Sequence, residues 1–379
     1  MRLAVPFSIS LVSASLLLAG CAAGKKAGTG QSIPSLKEIF KNDFLVGAAL
    51  SAEQIEGKDP AAADLVPAQF NAITPENIMK AEIIHPEWDR YDFTVADKMT
   101  DYAKKHHMLI NGHTLIWHSQ LPAYAQRIQE VDSFRTFFQD HIQTVAMRYN
   151  GKVQSWDVVN EALNEDGTMR KSIFLDKLGP DYVTEAFRLT QAAAPQTELY
   201  YNDYNNEQPA KRAGCLAIIK KIQDAGVRID GVGIQGHWQV GQVPFKDIEE
   251  SILQYAALGI KVAFTELDIE VLPRNFQGAD VNQRMREDPS LNPYVNGLPD
   301  SVQQQLASDY AQLFRLFLKH RDKISRVTLW GVHDGQSWLN GWPVRGRTNH
   351  PLLFDRQGKP KPAFFRVTAV KNNTTQKAF

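Results

Sequence analysis

From about Leu36 the chain alternates between two apolar patterns. Short runs rich in β-branched and aromatic residues are each followed by a longer stretch in which apolar residues recur every three or four positions, with charges between. The short runs are FLVGAAL (44–50), QFNAIT (69–74), MLINGHTLIW (108–117), VQSWDVVN (153–160), ELYYND (198–203), IDGVGIQG (229–236), IKVAFTELD (260–268) and SRVTLWG (325–331), eight in all. The longer segments include VADKMTDYAKKHHM, FRTFFQDHIQTVAMRYN and DYAQLFRLFLKHRD. Several helical patterns end alike, in KKHHM, RYNG, DAGV or ALGI, where basic residues or glycine close a helix before the next strand.

Eight such alternations predict an α/β chain folded as a (β/α)8 TIM barrel, a single catalytic domain over residues 36–370 with a short tail at 371–379. An open dinucleotide-binding sheet would place a glycine-rich phosphate loop after its first strand. SAEQIEGKD stands there instead, without GxGxxG spacing. The segment 271–303, rich in Pro, Gly and Asn, reads as an elaborated loop on the catalytic face.

The chain ahead of the barrel has a different character. Residues 1–20 carry one basic residue, Arg2, and then an apolar stretch, the pattern of a secretory signal; that stretch is short for the alternative, a bilayer span. Leu18-Ala19-Gly20-Cys21 resembles the bacterial lipobox, so lipidation of Cys21 is expected, with 21–35 as a flexible tether. Two or more acyl chains would anchor the protein stably, which predicts export and attachment to a bacterial membrane, at the outer membrane or cell surface rather than free. The alternative is ordinary cleavage with Cys21 left as a thiol. The only other cysteine, Cys215, then has no disulfide partner.

Composition narrows the partners. The chain has 42 Lys and Arg against 42 Asp and Glu, so no large-scale field draws in nucleic acid. Nothing points to a second protein chain, and a monomer is expected. With 7 Trp, 11 Tyr and 19 Phe there are flat faces enough for both a core and sugar platforms.

In a barrel the chemistry gathers at the C-terminal ends of the strands. Those ends carry Thr74, Glu76, Asn77 and Lys80; His113, Trp117, His118 and Gln120; Asp157, Asn160 and Glu161; Asn202, Asp203 and Tyr204; Gln235, His237 and Trp238; Glu266 and Asp268; and Trp330, with Trp338 in the loop beyond. This is a set of acids, amides, imidazoles and indoles. It has no phosphate cradle, thiol cluster or nucleophile-elbow serine. His113 and His118 lack the HExxH spacing of a zinc hydrolase, so no metal and no cofactor is expected. The set suits glycoside hydrolysis, which needs one protonated and one ionised carboxyl flanking the scissile bond. Glu161 after the fourth strand and Glu266 after the seventh can face each other across the mouth. In SWDVVNEALNEDG (155–167), Asp157 reads as a buried, hydrogen-bonded support, and Glu165 and Asp166 as solvated turn charges. Trp156 and Trp88 read as packing.

Six motifs in register resemble the family 10 glycoside hydrolases, the endo-β-1,4-xylanases: TPENIMK (74–80), GHTLIWHSQLP (112–122), WDVVNE (156–161), GIQGHW (233–238), TELD (265–268) and WGVHDGQSW (330–338). The resemblance implies a retaining, cofactor-free hydrolase of xylan or xylo-oligosaccharides. It implies Glu161 as acid/base and Glu266 as nucleophile, with carboxyls about 5–5.5 Å apart. His237, oriented by Asp268, would donate to Glu266, and Asn160 would hold a sugar 2-hydroxyl. Lys80, His113, Gln235 and Trp338 would line that subsite. Glu76, Asn77, Gln120 and Trp330 would hold the next sugar on the non-reducing side. Trp117 reads as sugar contact or packing, and Tyr204 as a platform beyond the cut. Gln120 and Trp338 would crowd the place of a glucose hydroxymethyl, which xylose lacks.

There are departures from the family pattern: Ala81 stands where a bulky aromatic often follows the lysine, and NGWPVRGRT (340–348) is longer and more basic than usual. Two alternatives stay open, a non-catalytic surface glycan binder and a β-1,4-glucanase of the same clan.

Overall fold

The computed structural model describes residues 1, 33–274 and 278–375. The signal segment, Cys21 and most of the tether lie outside the described residues, as do the last four of the tail. The barrel lies in the compact unit Pro34–Phe379.

Among the described residues there are nine strands: β1 (Leu45–Leu50), β2 (Ala72–Pro75), β3 (Leu109–Trp117), β4 (Ser155–Asn160), β5 (Glu198–Asp203), β6 (Gly231–Ile234), β7 (His237–Gln239), β8 (Lys261–Glu270) and β9 (Ile324–Leu329). They pair in the order β6-β5-β4-β3-β2-β1-β9-β8-β7, and a further pairing of β6 with β8 closes the ring. The pairings are parallel throughout, for example Gly112 opposite Trp156 between β3 and β4 and Val232 opposite Val262 across the closure. The eight-stranded parallel barrel read from the apolar pattern is therefore the fold. Each expected run overlaps one barrel strand.

The extra strand is β7. After β6 the chain turns at Gly236, with φ of 83°, and resumes for three residues, setting His237 opposite Asp268 and Gln239 opposite Glu270. This outer pairing carries β8 on to Glu270, two residues past the expected end. Three residues are too few to show a period of two, so the pattern did not separate β7 from its neighbour.

Other boundaries also move. The second expected run began at Gln69, but the helix Leu65–Gln69 takes that residue, and its side-chain oxygen accepts from Leu36 N at 3.0 Å. The helix Asp300–Lys319 starts inside the stretch expected to be loop. The last helix, Pro362–Thr375, runs past Val370. The endings DAGV and ALGI do close helices: Gly226 and Gly259 take φ of 66° and 77°, left-handed values that cost a glycine little. Among the described residues no helix is long and apolar enough to cross a membrane.

Packing fixes the strands that matter for the site. All six residues of β4 are buried, and Trp156 is fully so. Its ring fits only because Gly112 faces it. A β-carbon at Gly112 would sit 2.2 Å from the Trp156 ring. Outside the barrel wall, Phe134 and Phe138 on the helix Val131–Tyr149 pack against Phe174, and Phe137 against Phe134. Trp88 departs from the expectation of packing. It is 42% exposed, with Tyr124 against it edge-on at 6.1 Å, because its segment lies at the surface where one side of the ring meets solvent.

Candidate active site

A cavity of about 590 Å³ opens at the C-terminal ends of the strands. The segments after β2 and β3 supply Glu76, Asn77, Lys80 and Gln120, and β3 itself gives His113 and Trp117. β4 and the residue after it give Asn160 and Glu161. Gln235 and His237 come from around β7, Glu266 from β8, and Trp330 and Trp338 from beyond β9. These residues span more than 260 positions of sequence, and only barrel closure brings them to one mouth.

Glu161 sits just past β4 in a left-handed backbone conformation, φ 58°, its N–H donating to Asn202 O at 2.9 Å. A glutamate held there costs on the order of 1 kcal/mol, offset by the contacts that fix it. Its carboxyl is buried and accepts from Trp117 Nε1 at 2.9 Å, Gln235 Nε2 at 3.1 Å and Asn160 Nδ2 at 3.3 Å. Gln120, with φ of 47°, is strained in the same sense.

Glu266 is buried on β8. Asn202 Nδ2 donates to its Oε1 at 2.8 Å, and His237 Nε2 lies 3.2 Å from its Oε2. The other ring nitrogen of His237 is 3.0 Å from Asp268 Oδ1, and Asp268 Oδ2 accepts from Trp338 Nε1 at 2.8 Å. Asp268 lies behind the cavity and fixes two residues that line it. Amides join the two glutamates: Asn160 Oδ1 accepts from Asn202 Nδ2 at 3.0 Å and from Gln235 Nε2 at 3.2 Å.

The two carboxyls are driven apart electrostatically. Burial raises the Glu161 pKa and the nearby Glu266 charge adds to it, while Arg170 and the hydrogen bonds from Gln235 and Trp117 only partly offset this. Glu266 is equally buried, but the His237 hydrogen bond, the charges of His113 and His237 and the Asn202 amide outweigh the burial and lower its pKa. Burial would lower His237 too; Asp268 and Glu266 override it and lift the imidazole to about 10. So one carboxyl favours its proton and its neighbour favours its charge, the division that acid–base pairs require.

Lys80 anchors the opposite wall. Its Nζ donates to Asn77 Oδ1 at 2.9 Å and to Gln120 Oε1 at 2.8 Å, and stands 4.7 Å from the centre of the Trp117 ring. Trp117 therefore has two contacts within the site, the Lys80 cation and the Glu161 carboxyl. His113 Nδ1 is 2.9 Å from Asp157 Oδ2, which also accepts from Asn111 Nδ2 at 3.0 Å, so Asp157 is a buried support behind the site.

Two expectations change. Tyr204 is 4% exposed and offers no stacking face to the cleft. Lys211 Nζ stands 3.6 Å over the ring, and Arg170 Nη2 donates to the hydroxyl at 2.7 Å. Burying Lys211 demanded partners, and the Tyr204 ring became one of them. Glu165, read as solvated, is exposed yet employed: it accepts from Lys211 at 3.2 Å and from Asn205 at 2.8 Å. Asp166 is exposed and accepts from Thr168 N at 2.9 Å.

Arg170 is not among the residues read from the sequence, and Asn202 is read there only as a strand-end residue without a role. Asn202 is a fully buried amide at the end of an inward-facing strand position, a signal that its place in ELYYND already carried. Arg170 holds the chain after β4 through Glu161 O at 3.0 Å and Leu163 O at 3.1 Å, and pairs with Asp280 at 3.3 Å. No motif links residues 110 positions apart.

Comparison with known proteins agrees with this geometry. The profile of "Glycosyl hydrolase family 10" matches residues 35–370. The chain is 43% identical over 345 residues to endo-1,4-beta-xylanase A of Xylanibacter ruminicola, covering 89% of this chain and 93% of that one. It is 38% identical over 363 residues to a beta-1,4-xylanase of Dictyoglomus thermophilum, covering 95% and 98%. Among solved structures, a family 10 endoxylanase retrieved from sugarcane soil metagenome superposes with a TM-score of 0.85 at 42% identity, covering 89% of this chain and all of that one. With barrel, cleft and sequence in agreement across nearly the whole described chain, this protein belongs to glycosyl hydrolase family 10.

Proposed function

We propose that the chain is a retaining endo-β-1,4-xylanase acting on xylan or xylo-oligosaccharides by double displacement. The observation that carries the reading is the pair of buried carboxyls in one cleft, Glu161 favouring its proton and Glu266 its charge. In the first step Glu161 protonates the leaving oxygen while Glu266 attacks the anomeric carbon, forming a glycosyl ester. In the second, Glu161 takes a proton from water, and the water oxygen displaces Glu266. His237 keeps Glu266 ionised, and Asp268 fixes the ring that does so. Asn160 grips the 2-hydroxyl of the reacting sugar, a role supported by its hydrogen bonds to Glu161, Gln235 and Asn202. The relatives named as xylanases support xylose as the sugar.

The test is release of reducing sugar from xylan, and turnover of an aryl xylobioside against an aryl cellobioside, by wild type, Glu161→Ala and Glu266→Ala. Turnover of the xyloside, lost in Glu266→Ala with sugar binding kept, is expected. Binding without turnover in wild type would make the protein a glycan binder, and preference for the cellobioside would make it a glucanase.

We further propose that Cys21 is lipidated and anchors the protein to a bacterial membrane. What supports this is the lipobox-like Leu18-Ala19-Gly20-Cys21 after an apolar run. Cells fed radiolabelled fatty acid should label wild type and not Cys21→Ala; unlabelled wild type sinks the idea.

A further inference from the structure

Two loops build one wall of the cleft. The chain after β8 and the chain after β9 are tied by Met285 N to Pro343 O at 3.1 Å, Trp342 Nε1 to Asp280 O at 3.2 Å and Thr348 N to Asn292 Oδ1 at 2.9 Å. Below the ties, buried Glu270 is ion-paired with Arg347 and with Arg274, the latter at 3.2 Å. Trp342 stacks on Trp338 at 4.6 Å. The wall is thus braced from both strands that support it.

Arg284 and Arg345 stand on either side of the Met285–Pro343 tie. Both are exposed, and both line the cavity that holds Glu161 and Glu266. Among the described residues Arg284 donates to the backbone carbonyls of Val281 and Gln283. Neither arginine makes an ion pair among the described residues, whereas Arg170 in the same region pairs with Asp280 and Arg347 with Glu270. Asp288, further along the loop, accepts from Ser290 N instead. Two guanidinium groups thus line one cavity without an ion-pair partner among the described residues, and their forked donors match a carboxylate. In a xylan chain the carboxylates belong to uronic-acid substituents on the xylose backbone.

Resting on the xylanase reading, we propose that Arg284 and Arg345 form a receptor for the carboxylate of a uronic-acid substituent, so that acidic xylo-oligosaccharides are cleaved in preference to neutral ones of the same size. The rim sits at the edge of the cleft, so this raises capture of the decorated chain and leaves the bond-breaking step to the two glutamates.

The test compares a xylo-oligosaccharide bearing one glucuronic acid with its methyl ester, which removes the charge at the cost of one added methyl group. At low ionic strength the ratio of kcat/KM for acid over ester should be roughly 5–10-fold in wild type, the size expected of a partly exposed guanidinium–carboxylate contact. It should fall towards one in the double variant Arg284→Ala/Arg345→Ala, keep part of its value in Arg345→Lys, and shrink as salt is added. Because each ratio compares two substrates on one preparation, a partly unfolded variant does not mimic the effect. A wild-type ratio near one, or a ratio that survives the double variant, overturns the proposal. Failure of wild type to cleave unsubstituted xylohexaose overturns the xylanase reading and this one with it; cleavage of xylohexaose with a ratio near one overturns only the rim.

Discussion

His237 Nε2 lies 3.2 Å from Glu266 Oε2 while the opposite ring nitrogen meets Asp268, so a single imidazole is held between two buried carboxylates. The pair of acids raises the imidazole to about 10, and the imidazole in return lowers Glu266. The sign of a pH prediction follows. Glu266 must be ionised to attack. In His237→Asn the carboxylate loses a cationic donor, its pKa rises, and the acid limb of the kcat/KM profile moves to higher pH. Activity at neutral pH should also fall roughly 10–100-fold, the worth of one hydrogen bond to a charged group. An acid limb that stays in place would contradict this.

Arg170 acts on the other carboxyl. Its charge lowers the pKa of Glu161 against the larger effect of burial. Replacing it in Arg170→Gln should raise the Glu161 pKa further and extend the basic limb to higher pH, leaving the acid limb where it is. The same change strands the Glu161 and Leu163 carbonyls and the Tyr204 hydroxyl, which should cost about 2–3 kcal/mol in urea unfolding. An unmoved basic limb would mean that Arg170 is structural only.

Gly112 tests the packing behind the site. With the Trp156 ring 2.2 Å from the position of an added β-carbon, Gly112→Ala must displace either the ring or the β3–β4 pairing. A loss of about 3 kcal/mol is expected, read as a lowered urea midpoint with an unchanged slope. Unaltered stability would show that the strands can part at no cost.

Much of this was legible beforehand because it is local. A strand, a turn and a polar residue at the strand end lie within ten positions, so Glu161, Glu266, His237 and Lys80 could be read from short motifs. What escaped depends on distance. Tyr204 stands where a platform was expected, but Arg170, 34 positions upstream, takes its hydroxyl, and Lys211, though near in sequence, lies over its ring because the fold buries that lysine. Glu270 chooses Arg347 across 77 positions, and that choice fixes the wall that bears Arg284 and Arg345. β7 is short and is defined by its pairing with β8, which no period in three residues could announce.

The central claim, double displacement through Glu161 and Glu266, is tested most directly by the anomer that first appears when xylohexaose is cleaved in an NMR tube. Two inversions at one carbon restore its configuration, so new reducing ends should appear as the β-anomer and only later equilibrate with the α-anomer by mutarotation. New ends that appear first as the α-anomer would mean a single displacement by water and would contradict the account.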